Sequence, residues 1–378
     1  MRLAMKALLA VVPSIVLLPV LTFAQYARIN LVTNSGEGGT VQDPHLVNAW
    51  GLVSTTTSPF WVSDNATGLS TLYSISNTSG VAATPLGLVV SVPSATGGQG
   101  TPTGIVAPET PTGVTAFVIS GVNPITEKQA SANSLFIFAT LDGTISGWNP
   151  AVGGINPTTG ASVANIAADR SSVGATYTGL AIATSNGQRF LYAADDGANR
   201  RVDVFNSNFQ LADLGPNAFV DPRIPQKFAP YGIQTITAAD GTQTVWVTYT
   251  ALDKSQGGFV DAFTPAGVLL SHLDLHGPLH SPWGVALAPA DFGPMSNALL
   301  ITNNTPRGRI NAFDPKSGAF LGPLRDATGK PIEIDDIWAI QFGQSGVAGS
   351  NGNPNQLFFT AGNNNYGSGT FGVITFGQ

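Results

Sequence analysis

Trp50-Gly51-Leu52 is the first of six short stretches in which a small residue interrupts an apolar run. The later five are Thr103-Gly104-Ile105, Thr178-Gly179-Leu180, Tyr231-Gly232-Ile233, Trp283-Gly284-Val285 and Trp338-Ala339-Ile340. Their central residues follow one another at intervals of 53, 75, 53, 52 and 55 positions. A repeat of about 50 residues is typical of the blades of a β-propeller.

Each of the six units continues with further apolar runs separated by Gly, Asn, Asp and Pro. In the first unit these are residues 60–65, 69–76 and 86–92, and the last of them is the weakest. Four strands per unit predict an all-β, six-bladed propeller of four-stranded blades. The central glycine would let the crowded innermost backbones approach each other, and the aromatic residue beside it would pack between blades.

The two ends of the chain are predicted to meet in one blade. The last unit has only three strand-like runs, whereas residues 27–32 alternate as a strand before the first unit. We expect this N-terminal strand to form the outer strand of the last blade, which closes the ring. The second interval is about 22 residues longer than the others, because residues 114–120 resemble an extra strand and 122–133 form a polar insertion. A degenerate seventh blade is the alternative there.

The first residues have the layout of a secretory signal. Arg2 and Lys6 precede the apolar run 7–21, and Thr22-Phe23-Ala24 is a plausible cleavage sequence. The sequence therefore predicts a signal peptide at 1–24 and a propeller domain at 25–378, exported to the periplasm or beyond. An uncleaved N-terminal anchor is the alternative. No later run is long and apolar enough to span a membrane.

Composition excludes several functions. The chain has no cysteine, so disulfides, thiolate catalysis and cysteine-ligated metals are absent. Its net charge is −6 and it has no basic patch, which argues against nucleic acid as a partner. We expect a monomer held together by packing and by closure of the ring.

Three stretches carry a resemblance to known proteins. Asn48-Ala49-Trp50-Gly51-Leu52, Phe60-Trp61-Val62-Ser63-Asp64-Asn65 and residues 142–150 (DGTISGWNP) resemble a family of exported bacterial proteins of unassigned function. The resemblance covers nearly the whole chain after the signal. More distantly, the units are similar to NHL-type and gluconolactonase-like propellers. The resemblance supports the fold and implies no activity.

Polar residues recur where the second strand of a unit ends. We predict a divalent metal, Ca²⁺, bound at one mouth of the channel by Asp64, Asn65, Asp195 and Asn303. Carboxylate and amide oxygens are the hard ligands that Ca²⁺ prefers. Similarity to gluconolactonase-like propellers implies a divalent ion in this place. The alternative is turn chemistry, because Asp and Asn favour tight turns.

Histidines form a second point of interest. His272, His276 and His280 are spaced by four, as on a helix, but Pro278, Pro282 and the strand-like alternation of 269–275 argue against a helical three-histidine zinc site. His280 is placed to act as a general base at the mouth, or as a loop histidine bonded to backbone.

Three functions remain open from the sequence. The leading one is a secreted binding module whose channel-mouth face recognises a small molecule, a carbohydrate, a peptide or a surface protein. The second is a metal-dependent lactonase-like hydrolase or a lyase, and the third is a structural module of an envelope assembly. Hydrolysis by a serine triad has no support, because no Gly-x-Ser-x-Gly occurs. Whether the protein is an enzyme is left undecided.

Overall fold

The computed structural model describes residues 25–156, 159–253, 255, 257–273, 277–345 and 350–377. The signal peptide predicted for 1–24 lies outside these ranges. Strands make up almost all regular structure, beside short 3-10 helices at Glu37–Gly39, Ser171–Val173 and Gly293–Met295. The predicted all-β class is confirmed. Within the described ranges, no helix is long and apolar enough to cross a membrane.

The first half of the described chain forms three blades. Before them lie Tyr26–Thr33 (β1) and Val41–Gln42 (β2). Blade 1 consists of Ala49–Val53 (β3), Phe60–Asp64 (β4), Leu69–Ser76 (β5), Ala82–Pro85 (β6) and Val90–Ser91 (β7). The second unit contains Pro102–Val106 (β8), an inserted hairpin Val118–Val122 (β9) and Gln129–Asn133 (β10), then Phe136–Thr140 (β11), Thr144–Trp148 (β12), Ser162–Val163 (β13) and Asn165–Asp169 (β14). Blade 2 is the sheet of β8, β11, β12 and β14, whereas β13 pairs with β7 at the edge of blade 1. Blade 3 consists of Tyr177–Ser185 (β15), Gln188–Asp195 (β16) and Arg201–Phe205 (β17).

The second half forms the remaining three blades. Blade 4 consists of Phe228–Thr237 (β18), Gln243–Ala251 (β19), Gly258–Phe263 (β20) and Leu269–Leu273 (β21). Blade 5 consists of Pro282–Leu287 (β22), Leu299–Asn303 (β23), Ile310–Phe313 (β24) and Phe320–Pro323 (β25). Blade 6 consists of Ile337–Phe342 (β26), Leu357–Ala361 (β27) and Thr370–Phe376 (β28). The innermost strands β3, β8, β15, β18, β22 and β26 adjoin one another in a closed ring, so six blades are confirmed.

The long second unit contains a hairpin rather than an additional blade. Strands β9 and β10 pair only with each other among the described strands. Phe117 and Ile119 pack into the core between blades 2 and 3, beside Ile137 and Ile145. The apolar residues of the insertion are therefore anchored on existing blades.

The N-terminal strand closes the ring as predicted. β1 pairs antiparallel with β28, from Tyr26 opposite Phe376 to Thr33 opposite Thr370. Blade 6 is thus built from both ends of the described chain, and its third strand has no open edge.

The repeated glycines allow neighbouring innermost strands to touch. A Cβ added at Gly51 would lie 2.2 Å from the carbonyl oxygen of Thr103, and one at Gly232 would lie 2.1 Å from that of Trp283. Real side chains do not tolerate such distances, so the blade-to-blade approach requires glycine there.

The aromatic residues beside the glycines pack between blades, and some of their contacts reach across the propeller. Trp50 and Trp283 belong to blades 1 and 5, yet their rings lie 6.5 Å apart, edge to face. The indole Nε1 of Trp283 donates to the carbonyl of Thr178 in blade 3 at 3.0 Å. Contacts between blades that are not neighbours cross the propeller axis. Trp50, Trp283 and Trp338 therefore fill the channel, and we call them the tryptophan plug.

Candidate functional site at the channel mouth and a candidate metal centre

In every blade, the loop between the second and third strands is bonded to the loop that leads into the innermost strand. Backbone N–H groups donate to carbonyls at 2.8 to 3.2 Å in the pairs Asn65–Asn48, Leu141–Thr101, Asp196–Thr176, Leu252–Lys227, Asn304–Ser281 and Gly362–Asp336. Both kinds of loop therefore open on one face of the propeller, as the sequence predicted. We call this face the channel mouth.

Asn65 joins blades 1 and 2 at the mouth. Its Nδ2 donates to the carbonyl of Pro102 at 3.2 Å, and its Oδ1 accepts from Nδ2 of Asn48 at 3.1 Å. The Oδ1 of Asn48 accepts in turn from Nε1 of Trp338 at 2.9 Å. Polar groups of the mouth are thus bonded directly to the tryptophan plug, which forms their floor.

Asn304 joins the other side of the mouth. Its Oδ1 accepts hydrogen bonds from the hydroxyls of Tyr231 at 3.3 Å and Tyr366 at 3.1 Å. These phenols come from blades 4 and 6, while Asn304 follows the second strand of blade 5. The ring of Tyr366 also lies 5.7 Å from that of Trp338, and Tyr366 is 38% exposed. The mouth therefore has an aromatic edge that solvent reaches.

Two carboxyl groups complete the mouth. Burial raises the pKa of Asp196 to about 6, and the charge of Asp195 adds to the effect. Burial also raises the pKa of Asp336, with a further contribution from Asp335. The pKa of Tyr231 lies well above its ordinary range because of burial and because Tyr366, Asp196 and Asp336 are close. Near neutral pH, Asp196 exists in both forms, so the mouth can donate as well as accept hydrogen bonds.

Asp64, one of the predicted metal ligands, lies inside blade 1. It is fully buried, and its Oδ2 accepts from the hydroxyl of Thr71 at 2.8 Å. The Thr71 hydroxyl lies 2.9 Å from that of Tyr73, which donates to Asp43 at 2.8 Å. Burial raises the pKa of Asp64 well above its ordinary range, and Asp43 contributes to the same direction. Asp64 therefore belongs to a buried hydrogen-bonded chain, whereas the neighbouring Asn65 faces the mouth.

Asp195 and Asn303 hold loops of their own blades. Asp195 Oδ1 accepts from the backbone N–H groups of Thr176 and Gly197 at 2.8 and 2.9 Å. Asn303 accepts from the N–H of His280 at 3.2 Å and donates to the carbonyl of Pro278 at 2.8 Å. This is the turn chemistry that the sequence offered as the alternative.

The four predicted metal ligands are not linked to one another by hydrogen bonds. Within the described ranges, no hydrogen bond joins the side chains of any two of Asp64, Asn65, Asp195 and Asn303. Successive residues of a strand point to opposite faces of the sheet, so Asp64 bonds within blade 1 whereas Asn65 bonds across to blade 2. The calcium site stays a prediction.

The histidines occupy separate environments. His272 lies in strand β21, so no helix aligns it with the others. His280 lies in a loop, where Nε2 is 3.0 Å from the carbonyl oxygen of Gly277. His276 lies outside the described residues. The backbone-bonded alternative therefore describes His280 better than the general base does.

A cluster that the sequence did not predict gathers around His272. Its Nδ1 lies 2.6 Å from Oδ1 of Asp261 and 3.0 Å from Oδ2 of Asp221. The pairing of β20 with β21 sets Asp261 opposite His272, and Asp221 comes from the connection between blades 3 and 4. Both aspartate side chains are fully buried and that of His272 is 6% exposed. In the described part of the chain, this is the one group of three such residues whose ligand atoms all lie within 4.8 Å of one another.

The two aspartates of the cluster differ in acidity. Burial raises the pKa of Asp261 to about 6, although His272 opposes the shift. Burial acts in the same direction on Asp221, but hydrogen bonds and charge from Arg223 outweigh it and lower its pKa. Arg223 Nη2 lies 2.7 Å from Oδ2 of Asp221. Two carboxylates and one imidazole form a donor set that divalent transition metals bind.

Part of this cluster was visible in the sequence. Residues 259–263 and 269–273 alternate as strands joined by a short turn, and aligning them as a hairpin places Asp261 beside His272. Asp221 lies in a connection without periodicity. No local pattern could have assigned it to the cluster.

Comparison with known proteins supplies relatives without assigned functions. No family model matches the chain. An uncharacterized protein of Acanthamoeba polyphaga mimivirus is 29% identical over 306 residues, which cover 78% of this chain and 73% of that protein. A second uncharacterized protein of the same virus is 32% identical over 231 residues, or 57% of this chain and 39% of its own length. These relatives are viral, whereas the resemblance seen in the sequence pointed to bacterial proteins.

Solved structures with related folds are distant. A streptogramin B lyase has 12% identity and a TM-score of 0.46, covering 93% of this chain and 97% of its own. A periplasmic gluconolactonase of Pseudomonas aeruginosa has 17% identity and a TM-score of 0.41, covering 88% of each chain. Likenesses this weak say nothing about the chemistry of the protein.

Proposed function

We propose that the protein is an exported binding module whose channel mouth takes a carbohydrate. The observation that carries the proposal is Asn304, whose amide is held by phenols from two other blades beside the exposed ring of Tyr366. Binding sites commonly combine apolar and aromatic surface with a few fixed polar groups that set orientation. The tryptophan plug lies beneath these polar groups, so a ligand of the mouth would rest on the plug and not pass through the channel.

The chemistry of the recess suits a ligand rich in hydroxyl groups. Asp196 offers a carboxyl group that donates or accepts. The buried amides of Asn65 and Asn304, which are bonded within the protein, fix the loops and the Tyr366 phenol around it. Sugar hydroxyls both donate and accept, and the apolar face of a sugar ring can lie on the ring of Tyr366. Among the described residues of the mouth, no hydroxyl is hydrogen-bonded to the ring of a histidine, which supports binding over hydrolysis by an activated hydroxyl.

Titration calorimetry with neutral oligosaccharides tests this function. A panel of glucan, mannan, galactan and chitin tetramers is titrated into the protein at pH 7. We expect at least one oligosaccharide to bind. Tyr366→Ala should weaken its affinity about tenfold, because the variant loses one aromatic anchor. Phe320→Ala is the matched control, because Phe320 is a similarly exposed ring, at 45%, on the outer strand of blade 5. Absence of binding by every oligosaccharide, or equal losses in both variants, would contradict the proposal.

A second candidate function is the binding of a divalent metal by Asp221, Asp261 and His272. The imidazole nitrogen favours Zn²⁺ or Mn²⁺ over the Ca²⁺ predicted for the mouth. The near-complete burial of all three side chains supports a structural role, in which the ion ties the connection 206–227 to blade 4. The lactonase-like alternative has no further support, because this cluster lies between the two outer strands of blade 4.

Elemental analysis and melting curves test the metal. We expect one Zn²⁺ or Mn²⁺ per chain and a lower melting temperature in EDTA, with both effects lost in His272→Ala. His45→Ala is the control, because His45 also lies beside an aspartate, with Nδ1 3.2 Å from Asp43, but is 49% exposed. The metal site is overturned if the purified protein contains no metal, does not respond to EDTA and does not bind added Zn²⁺ or Mn²⁺. His272 would then be a histidine ion-paired with two aspartates.

A further inference from the structure

Blade 3 differs from the other blades at its outer edge. In the described chain, the third strands of blades 1, 2, 4, 5 and 6 are covered by β6 with β7, β14, β21, β25 and β1. Among the described strands, the sheet of blade 3 contains β15, β16 and β17 and no fourth member. An uncovered strand edge exposes backbone donors and acceptors that an added strand can bind.

A fourth strand starts in blade 3 and then departs. Leu211 forms a single antiparallel bridge with Phe205, and the N–H of Ala212 donates to the carbonyl of Val204 at 2.8 Å. Continuation would bond Leu214 to Val202, but among the described residues no such bond forms. In an antiparallel sheet, every second residue of a strand directs its N–H and its carbonyl to the same side. Val204 directs these groups away from β16, so Val202, two residues earlier, also directs them outward.

A cavity occupies the place of the missing strand. Its volume is about 770 Å³, which lies in the range of ligand-binding clefts. One wall is strand β17, the second is the departing segment with Leu211 and Leu214, and the third is Phe228 and Tyr249 of blade 4. The backbone edge of Val202 thus faces a cleft whose lining is mostly apolar, with charged groups such as Arg200 and Asp213 among it.

We propose that this cleft takes an extended segment of a partner protein as the fourth strand of blade 3. The peptide groups of Val202 match the backbone of an extended chain, and the apolar wall residues Leu211, Leu214 and Phe228 suit side chains at alternate positions. The fold already completes a blade in this way, because β1 joins β28 from the far end of the chain. The interaction is independent of the carbohydrate site at the mouth.

Hydrogen exchange of the full protein tests the open edge. Val260 is the matched residue in blade 4, because Val202-Asp203 and Val260-Asp261 occupy the same places, yet Val260 is paired with Leu273. We expect the amide of Val202 to exchange at least roughly tenfold faster than that of Val260. Equal protection of the two amides would overturn the proposal.

Peptide selection tests the occupant. Random heptapeptides displayed on phage are selected on the protein, and enriched sequences are synthesised and measured by fluorescence anisotropy. We expect alternating apolar residues, slower exchange at Val202 on binding, and a loss of about tenfold or more in Val202→Pro, which removes the outward N–H.

The same substitution serves as its own folding control. Proline is tolerated on an edge strand whose N–H faces outward, so Val202→Pro should keep its melting temperature, whereas Val260→Pro should lower it. If no peptide is enriched, if enriched peptides bind Val202→Pro equally, or if they leave exchange at Val202 unchanged, the cleft is not a strand-docking site. If Val202→Pro melts as low as Val260→Pro, the edge is not free and the proposal also fails.

Discussion

The indole of Trp338 lies stacked on that of Trp50, with ring centroids 3.6 Å apart and planes tilted by 15°. The two residues come from the last and first blades, so their contact closes the centre of the ring as β1 closes its rim. The plug divides the channel into the mouth on one side and, on the other, a cavity of about 560 Å³ lined by innermost strands of all six blades.

Replacing Trp338 by Ala should destabilise the protein by about 3 to 5 kcal/mol, because the side chain is buried and the plug cannot collapse around the void. Chemical denaturation with urea measures the free energy of unfolding. Phe320→Ala removes a half-exposed ring and should change it by less than about 1 kcal/mol. Similar losses in the two variants would show that the plug contributes little to stability.

Deleting residues 25–33 should sharply lower the melting temperature. The deletion removes β1 and leaves the outer edge of β28 unpaired, and it removes buried Leu31 and Val32 from the core. Removing residues 124–127, the tip of the β9–β10 hairpin, is the control, because that turn lies outside the blades. Differential scanning calorimetry measures both. An unchanged midpoint after the first deletion would reject closure as a source of stability.

Asp64→Asn should leave the free energy of unfolding at pH 7 unchanged or raise it. Burial raises the pKa of Asp64 and so disfavours its charged form in the folded state, which a neutral amide of the same shape avoids. The stability contributed by protonated Asp64 is complete below the unfolded pKa of about 4 and declines as pH rises toward the folded pKa, so the variant should gain on wild type with increasing pH.

The matched control for Asp64→Asn is Asp203→Asn. Asp203 is equally buried but accepts from the Tyr177 hydroxyl at 2.8 Å and from Arg201 Nε at 2.6 Å. Loss of this charged acceptor should cost about 1.5 to 3 kcal/mol at pH 7 in urea unfolding. Comparable losses at both positions would mean that Asp64 is ionised.

Asp196→Asn should stabilise the protein at alkaline pH. The folded pKa of about 6 exceeds the ordinary value of 3.8, so the contribution of Asp196 is fully present below pH 3.8 and is lost as pH rises through 6. A shift of this size corresponds to about 2 to 3 kcal/mol, which the variant should recover at pH 8 and not at pH 4. Urea midpoints across that range measure the effect; a pH-independent difference would contradict it.

The repeat pattern contains most of the architecture. Six glycine or alanine steps, four of whose five intervals lie between 52 and 55 residues, predict six blades, because every blade needs one close-packed innermost strand. The alternation of residues 27–32 predicts the closing strand by the same local rule. The common face of the two kinds of loop follows from the repetition of one blade topology.

The direction in which a side chain points at the end of a strand depends on the register of that strand. Asp64 and Asn65 are adjacent polar residues with the same propensity for turns, but one is buried in its blade and the other faces the mouth. A composition-based choice of metal ligands cannot separate them, because the strand period of two assigns neighbours to opposite sides and the bulge between Ala49 and Leu52 shifts the register.

The sequence by itself therefore determined the class, the number of blades and the closure of the ring, since these follow from local periodicity. Only the tertiary structure decided that Trp50 stacks on Trp338 and that Asp221 joins Asp261 and His272. Those contacts join residues 40 to 288 positions apart. Packing across the propeller axis brings the two tryptophans together, and the path of an aperiodic connection brings Asp221 to the other two; neither contact leaves a local pattern in the chain.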